Sequence, residues 1–221
     1  MIKYCIFDLD GTLLDTLPTI KHYLNNTLLD YGLSPVGDRE TRRYIGDGAY
    51  QLIYRAFSEQ GITDEKTIQK ALTEYKAAYD SAPTYLTDYY GGILDALDVL
   101  RGAGVILAVL SNKPDCATRA VVESFFGDRF AIARGGIDGI PLKPDNTAPL
   151  AIARELSANP TEIAFVGDTS IDIYTGKNMG AALTVGVSWG FREREELIGA
   201  GADVVIDHPS ELLSALGVSN D

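Results

Sequence analysis

The stretch CIFDLDGTLLDT, from Cys5 to Thr16, places two carboxylates at the end of an apolar segment. The apolar residues around Phe7 predict a buried strand over residues 2–9. Asp8 and Asp10 lie in or just after that strand, and Gly11 follows them directly. Because burial of an unpaired carboxylate is costly, a chain that keeps two acids beside its core is expected to supply cations for them.

Six apolar segments of this kind recur along the chain, and each ends in a polar or Gly-rich turn. They cover residues 2–9, 105–112, 130–136, 162–169, 181–188 and 202–208. Nearly continuous hydrophobicity is typical of strands that are buried on both faces. Amphipathic helical stretches lie between them. The alternation predicts an α/β fold with a Rossmann-like parallel sheet and right-handed crossovers.

One long insertion interrupts this alternation after the first strand. Residues 16–83 have only helical patterns, in stretches that begin near Thr16, Asp47 and Thr63. We therefore predict an α/β core of residues 1–15 and 84–221, and a small α-helical cap of residues 16–83. Open α/β sheets bind ligands at the carboxyl ends of their strands, so a cap inserted there is expected to cover the site.

The overall charge excludes several classes of partner. Acidic residues outnumber basic ones by 31 to 19, for a net charge of −12. Nucleic-acid binding requires clustered Lys and Arg, and the chain has no polybasic segment for a membrane surface and no apolar run of about 20 residues. The amino-terminal stretch does not resemble a secretion signal, and the two cysteines form no CxxC pair. These features predict a cytoplasmic enzyme whose substrate is a small molecule.

Chemistry-bearing residues lie at the ends of the predicted strands at four places. They are Asp8 to Thr12, Ser111 to Lys113, Lys143 in the loop IPLKPDN, and Gly167 to Asp172. The carboxyl ends of parallel strands open on one edge of a sheet, so these groups are expected to converge.

The side-chain types in this set suit phosphoryl transfer. The carboxylates of Asp8, Asp168 and Asp172 are hard oxygen ligands of the kind that Mg²⁺ prefers. Lys143 can neutralise phosphate charge. Further donors and cations of the set are expected to bind phosphate: Ser111, Lys113 and the backbone N–H groups of Leu9, Asp10 and Asn112. No Walker-type loop is present.

The order DxDGT, SN, isolated Lys and GDxxxD resembles the haloacid dehalogenase superfamily of phosphohydrolases over nearly the whole chain. The tail VGVSWGFREREELIGAGADVVIDHPSEL and the segment YIGDGAYQLI are similar to its phosphoglycolate phosphatase branch. The loop after Lys143 reads KPDN where the family usually has KPxP.

The resemblance implies a role for each matching residue. Asp8 would be the nucleophile that forms an aspartyl-phosphate, and Asp10 would be the general acid and base. Mg²⁺ would be held by Asp8, by the backbone carbonyl of Asp10 and by Asp168, with Asp172 binding it directly or through water. Ser111 and Lys143 would hold the phosphoryl oxygens.

Substrate selection is expected in the predicted cap. Arg42 and Arg43 precede the segment that resembles the phosphoglycolate phosphatase branch. A guanidinium can bind a carboxylate bidentately, so these arginines predict a small phosphoester that carries a carboxylate, first of all 2-phosphoglycolate. The alternative is that the arginines only pair with acids on the surface.

Other functions are compatible with parts of this pattern. A sugar-phosphate mutase of the β-phosphoglucomutase kind would use the same Asp8 but return the phosphoryl group to a sugar. A phospho-receiver domain also phosphorylates an Asp beside Mg²⁺, but receivers are about half this length and lack an acid at the position of Asp10. A non-enzymatic interaction protein with a degenerate site fits least, because every expected catalytic group is present.

Overall fold

The computed structural model, which describes residues 1–218, has a six-stranded parallel sheet at its centre. The strands of the protein are β1 (Tyr4–Phe7), β2 (Leu14–Asp15), β3 (Asp88–Tyr89), β4 (Ile106–Pro114), β5 (Ile132–Gly136), β6 (Ile163–Gly167), β7 (Leu183–Val187) and β8 (Val204–Ile206). The order across the large sheet is β5-β4-β1-β6-β7-β8, with every pair parallel. The predicted α/β fold with a parallel sheet is confirmed.

Ten α-helices and one 3₁₀ turn (Pro160–Glu162) connect these strands within residues 1–218. The helices are α1 (Leu17–Asp30), α2 (Asp38–Tyr44), α3 (Ala49–Ser58), α4 (Glu65–Ser81), α5 (Ile93–Gly102), α6 (Asp115–Phe126), α7 (Thr147–Glu155), α8 (Ser170–Met179), α9 (Arg194–Gly199) and α10 (Glu211–Ala215). The sequence did not predict α2, which is short and polar.

The sheet is covered by apolar side chains on both faces. Alternate residues of a strand point to opposite faces, so Phe7 packs with α5 and α6 while Ile6 packs with Ile152 of α7. Both Phe7 and Ile6 are fully buried, and each such side chain contributes about 1.5–3 kcal/mol of hydrophobic stabilisation. This burial fixes β1 at the centre of the sheet and therefore fixes where its carboxyl end lies.

The chain forms two compact units. One consists of Met1–Asp15 with the described part of Asp88–Asp221, and the other is Thr16–Thr87. The second unit extends to Thr87 rather than ending at residue 83, because Thr19 of α1 donates to the Tyr85 carbonyl oxygen and its hydroxyl bonds that of Thr87.

The helical unit Thr16–Thr87 has an interior of its own. Helices α1 to α4 bury aliphatic and aromatic side chains, among them Leu24, Ile53, Phe57 and Ile68, all fully buried. Helix α4 begins at an Asp64 cap, whose carboxylate accepts the Thr67 N–H over 2.9 Å. Such a cap is worth about 1 kcal/mol.

The α/β unit contains a second, two-stranded sheet that the sequence did not predict. Strands β2 and β3 pair antiparallel, with Asp15 opposite Asp88. Each strand has only two residues, which is too short for a periodic pattern to show. The pairing brings together the two points at which the chain passes from one unit to the other.

Strand β4 is longer than predicted and irregular at its carboxyl end. It runs to Pro114, two residues beyond the predicted end, so Lys113 also lies within it. Its register against β5 shifts between Leu110 and Pro114. The helix that follows has Pro114 at its cap position, so Ser111 and Asn112 are not helix caps. A bulge of this kind re-aims side chains next to active sites.

Among the helices of residues 1–218, none combines the length and the apolar character that a membrane-spanning helix requires.

Candidate active site

Asp8 lies directly beyond the last residue of β1. Its backbone N–H donates to the Val166 carbonyl oxygen over 2.9 Å, which continues the pairing of β1 with β6. Asp8 Oδ1 lies 2.8 Å from Lys143 Nζ, and this buried oxygen makes no well-directed hydrogen bond. The expectation that a cation accompanies Asp8 agrees with this ion pair.

Asp168 follows β6 and is fully buried. Its Oδ1 accepts the Thr12 hydroxyl over 3.1 Å, and its Oδ2 accepts the Phe191 N–H over 2.8 Å. Gly11, at φ +86°, and Gly190 border this carboxylate so closely that a Cβ at either position would lie 2.3 Å from an Asp168 atom. The backbone around Asp168 is therefore shaped to surround one carboxylate.

Asp172 lies in the first turn of α8 and joins two elements of the site. Its Oδ2 accepts the backbone N–H and the hydroxyl of Thr169, the residue before the helix, over 3.1 and 2.8 Å. Its Oδ1 accepts Lys143 Nζ over 2.7 Å. One carboxylate thus caps the helix and fixes the lysine that faces Asp8.

Asp10 does not continue β1, although it lies only two residues beyond Asp8. The strand ends at Phe7, and the chain turns so tightly that the Leu9 carbonyl accepts the N–H groups of residues 12, 13 and 14. The Leu9 side chain is buried in the core. Asp10 Oδ1 instead accepts Lys113 Nζ over 2.9 Å.

The bulged end of β4 positions the loop that carries Lys143. The Asn112 side chain donates to the Lys143 carbonyl oxygen over 3.1 Å and accepts the Lys143 N–H over 2.8 Å. The Ser111 hydroxyl accepts the Lys113 N–H over 3.2 Å. A hydroxyl that accepts can still donate, so the Ser111 hydroxyl can still donate one hydrogen bond.

The electrostatics of the cluster are those of a site short of positive charge. Burial raises the pKa of the Asp8 carboxyl to about 7, although Lys143 acts in the opposite direction. Burial, with the charges of Asp172 and Asp8, raises the pKa of Asp168 well above its usual range. Burial alone would lower the pKa of Lys143, but Asp172 and Asp8 raise it overall, so the lysine stays protonated.

These residues fit a divalent cation. Carboxylate oxygens of Asp8, Asp168 and Asp172 all lie within 4.8 Å of one another. Together with Asp10 they are four carboxyl groups against two lysines, Lys113 and Lys143, so full ionisation would leave two negative charges. Hard oxygen donors of this kind suit a hard divalent cation.

The two arginines predicted to bind substrate lie in the helical unit, on α2. Both oxygens of the exposed Glu59 carboxylate accept from Arg43 Nη2 over 2.7 Å, and the Tyr44 hydroxyl donates to the same carboxylate. Arg42 is partly buried. The contact of Arg43 is the surface pairing that the sequence left open as an alternative.

Three contacts of the site were not predicted from the sequence. They are the Lys113–Asp10 ion pair, the support of Lys143 by Asn112, and the support of Asp168 by Thr12 and Phe191. The segment SWGF after β7 held a signal for the last of these. A Gly beside large aromatic residues at a strand end marks a close approach of backbone, here to Asp168.

Comparisons with known proteins agree with this geometry. The sequence model of the haloacid dehalogenase-like hydrolases matches residues 5–185. A phosphoglycolate phosphatase of Rhodospirillum rubrum is 33% identical over 223 residues, with 98% of this chain and 92% of that protein covered. Phosphoglycolate phosphatase 1 of Pseudomonas aeruginosa is 34% identical, with 96% and 78% covered.

A solved structure shows the same fold over almost the whole chain. The crystal structure of a candidate phosphoglycolate phosphatase from Lactobacillus delbrueckii subsp. bulgaricus has a TM-score of 0.92 and 29% identity, covering 97% of this chain and 98% of that one. The match of the family model over residues 5–185 and the relatives above 30% identity decide the assignment. The chain belongs to the haloacid dehalogenase-like hydrolases, and within them it is a phosphoglycolate phosphatase-like protein.

Proposed function

We propose that this phosphoric monoester hydrolase cleaves a small phosphomonoester through an aspartyl-phosphate on Asp8, with Mg²⁺ as its cofactor and 2-phosphoglycolate as its preferred substrate. The class of reaction follows from the family and from relatives that are phosphoglycolate phosphatases. The observation that carries the mechanism is the buried group of Asp8, Asp168, Asp172 and Lys143 at the carboxyl ends of β1 and β6.

In the first step a carboxylate oxygen of Asp8 bonds to phosphorus while the bond from phosphorus to the ester oxygen breaks. Asp10 gives a proton to that leaving oxygen. In the second step a water oxygen bonds to phosphorus as the Asp8 oxygen leaves, and Asp10 takes a proton from the water. Asp8 is regenerated, and the products are an alcohol and inorganic phosphate.

The cation would be held by the carboxylates of Asp8 and Asp168 and by the backbone carbonyl of Asp10. When bound, Mg²⁺ supplies positive charge to the phosphoryl oxygens and to the nucleophile. Both oxygens of Asp172 already accept hydrogen bonds, from Lys143 and from Thr169. This supports a role for Asp172 in orienting Lys143, with contact to the cation through water.

The phosphoryl oxygens are proposed to bind the Ser111 hydroxyl, the Lys143 ammonium and the backbone N–H groups of Leu9 and Asn112. Lys143 is held on two sides, by the carboxylates of Asp8 and Asp172, so it needs no reorientation when charge develops. Such preorganised donors are the most effective stabilisers of a charged transition state.

The helical unit Thr16–Thr87 is proposed to act as the cap that selects the substrate. Arg42 and Arg43 are its candidates for a substrate carboxylate. Since Arg43 pairs with Glu59, a role of Arg43 would require exchange of one carboxylate for another. Arg42 and Arg43 are therefore tested separately.

Two unpaired thiols, Cys5 and Cys116, support the further proposal that the enzyme works in a reducing cytoplasm.

The test is a phosphate-release assay with Mg²⁺ over a panel of small phosphomonoesters. We expect a higher kcat/KM for 2-phosphoglycolate than for an uncharged ester of similar size, and loss of that preference in Arg42→Ala or Arg43→Ala, chiefly through KM. No preference in the wild type would reject 2-phosphoglycolate but leave the phosphatase. Isomerisation of a sugar phosphate, dependent on a sugar bisphosphate and without phosphate release, would indicate a mutase instead.

A further inference from the structure

The ion pair between Lys113 and Asp10 joins the proposed acid–base residue to a lysine far along the chain. Lys113 Nζ donates to Asp10 Oδ1 over 2.9 Å. Only 5% of the Lys113 side chain and 14% of the Asp10 side chain are exposed. A pair this buried is screened little by solvent and salt, so it constrains the carboxylate more than a surface pair would.

The backbone of Lys113 is itself fixed by its neighbours. Its N–H donates to the Ser111 hydroxyl and its carbonyl oxygen accepts the Thr118 hydroxyl, each over 3.2 Å. The backbone of Gly135 in β5 comes so close that a Cβ there would lie 2.5 Å from the Lys113 carbonyl oxygen. The side chain therefore extends toward Asp10 from a rigid support, at the bulge where β4 changes register.

We infer that Lys113 is the positioning residue of Asp10: its ammonium holds Oδ1, so that Oδ2 is the oxygen that gives and takes the proton. This inference rests on the proposed function and assigns Lys113 a role other than the substrate binding expected from the sequence.

The proton balance of the two steps is consistent with Asp10 Oδ1 being held by Lys113 while Oδ2 transfers the proton. In the first step Oδ2–H of Asp10 gives its proton to the leaving oxygen as the ester bond breaks. In the second step Oδ2 takes a proton from the attacking water. Lys113 donates to Oδ1 in both steps, so the carboxyl group does not have to turn between the two transfers. Orientation of this kind is what makes a proton donor effective.

The two possible roles of Lys113 differ in how they depend on the leaving group. A lysine that binds phosphate contributes equally to every ester, because the phosphoryl group is common to all. A lysine that positions the acid affects the first step only when the leaving oxygen needs a proton, whereas its effect on the second step is the same for every ester. Nitrophenolate leaves readily without one, whereas an alkoxide does not.

The experiment compares wild type, K113M and K113R on p-nitrophenyl phosphate, phenyl phosphate and 2-phosphoglycolate, with kcat and KM measured separately. Circular dichroism and thermal unfolding check the fold of each variant. The control is K177M, which removes a positive charge from the exposed face of α8. The variant D10N and the double variant D10N/K113M complete a double-mutant cycle with wild type and K113M.

We expect K113M to lose about 100-fold in kcat/KM, which reports the first step, on 2-phosphoglycolate, at the lower end of the range that general acid–base catalysis supplies, and to change little in kcat/KM on p-nitrophenyl phosphate. K113R is expected to restore part of the loss, K177M to behave as wild type, and K113M to add little to D10N. An equal loss of kcat/KM on all three esters, a rise in KM alone, or full additivity with D10N would overturn the inference while leaving the phosphatase intact. A wild type that hydrolyses none of the esters would reject the proposed function and this inference with it.

Discussion

The α/β unit and the helical unit place their charged side chains in opposite ways. In the α/β unit Asp8, Lys143 and Asp172 meet with between 1% and 11% of each side chain exposed. In the helical unit the Arg43–Glu59 pair is 62% and 48% exposed, and the interior is aliphatic and aromatic. Buried charges cost stability, so we explain the buried cluster by the proposed reaction and the exposed pair by its solvation.

The difference teaches which part of the molecule can change during evolution. A substitution in the buried cluster leaves an unpaired charge, whereas exposed ion pairs contribute little to stability. We expect the cluster to fix the reaction and the helical unit to vary with the substrate.

The largest effect is expected from Asp8→Asn. The amide keeps the shape of the carboxylate but is a poor nucleophile, so turnover should fall by about 10³-fold or more while the fold is kept. Steady-state kinetics measure the turnover, and circular dichroism checks the fold. The matched control is Asp138→Asn, in an exposed loop, which should leave turnover unchanged. A tenth of wild-type activity in Asp8→Asn would be too much for a covalent mechanism.

A second effect concerns the cation. EDTA should abolish activity and Mg²⁺ should restore it. Because Asp168 is proposed to hold the cation, Asp168→Ala should raise the Mg²⁺ concentration needed for half-maximal activity by about 10-fold or more. Titration of Mg²⁺ into EDTA-treated protein measures this, with Asp138→Asn again as the control. An unchanged requirement would show that the ligands lie elsewhere.

The buried cluster should also make stability depend on pH when the cation is removed. The pKa of Asp8, about 7 in the folded protein, lies above the usual value of about 3.9 for an unfolded chain. The folded state then binds the proton more tightly, so stability should rise as pH falls from about 7 toward 4. Exposed acids such as Asp98, whose pKa Arg129 lowers, lose their contribution only at lower pH.

Thermal unfolding in EDTA at pH 8 and pH 5.5 measures this dependence. A gain of about 1 kcal/mol would raise the midpoint by about 2–4 °C in a chain of this size. Asp8→Asn should flatten the dependence, and saturating Mg²⁺ should reverse it. A wild-type midpoint that falls steadily from pH 8 to 5.5 in EDTA would contradict the arrangement of charges described for the cluster.

The smallest effect is expected from the exposed pair of the helical unit. Arg43→Ala should leave the free energy of unfolding unchanged, because solvent replaces Glu59. Phe57→Ala in the same unit removes a fully buried ring and should cost about 3–5 kcal/mol. Urea unfolding compares the two. A loss in Arg43→Ala that approaches the loss in Phe57→Ala would show that the pair is structural, and the contrast between the units would fail.

Much of the α/β fold could be predicted from sequence because its strands carry their own signal. The six strands of the large sheet are apolar enough to be recognised from sequence alone. Their nearly continuous hydrophobicity indicates burial on both faces, which is typical of a parallel sheet. Strands β2 and β3 could not be predicted, since two residues make no periodic pattern. Helix α2 was missed because its residues, DRETRRY, bury only Thr41 and Tyr44.

The candidate site could be predicted only in part. The motifs identify which residues meet at the sheet edge, since strand ends converge there. They do not show which carboxylate pairs with which lysine. That choice depends on the turn at Leu9, which moves Asp10 off the line of β1, and on the bulge in β4, which directs Lys113 toward Asp10.

The central claim, that Asp8 forms a covalent intermediate, is tested most directly by trapping it. Asp10→Asn, mixed with p-nitrophenyl phosphate and Mg²⁺ and quenched in acid, should carry a phosphoryl group on the peptide that contains Asp8. Hydroxylamine should remove that group, as it does from acyl phosphates, and Asp8→Asn/Asp10→Asn should carry none. Nitrophenol release with no protein-bound phosphoryl group at any quench time, or a label on a different residue, would contradict the account.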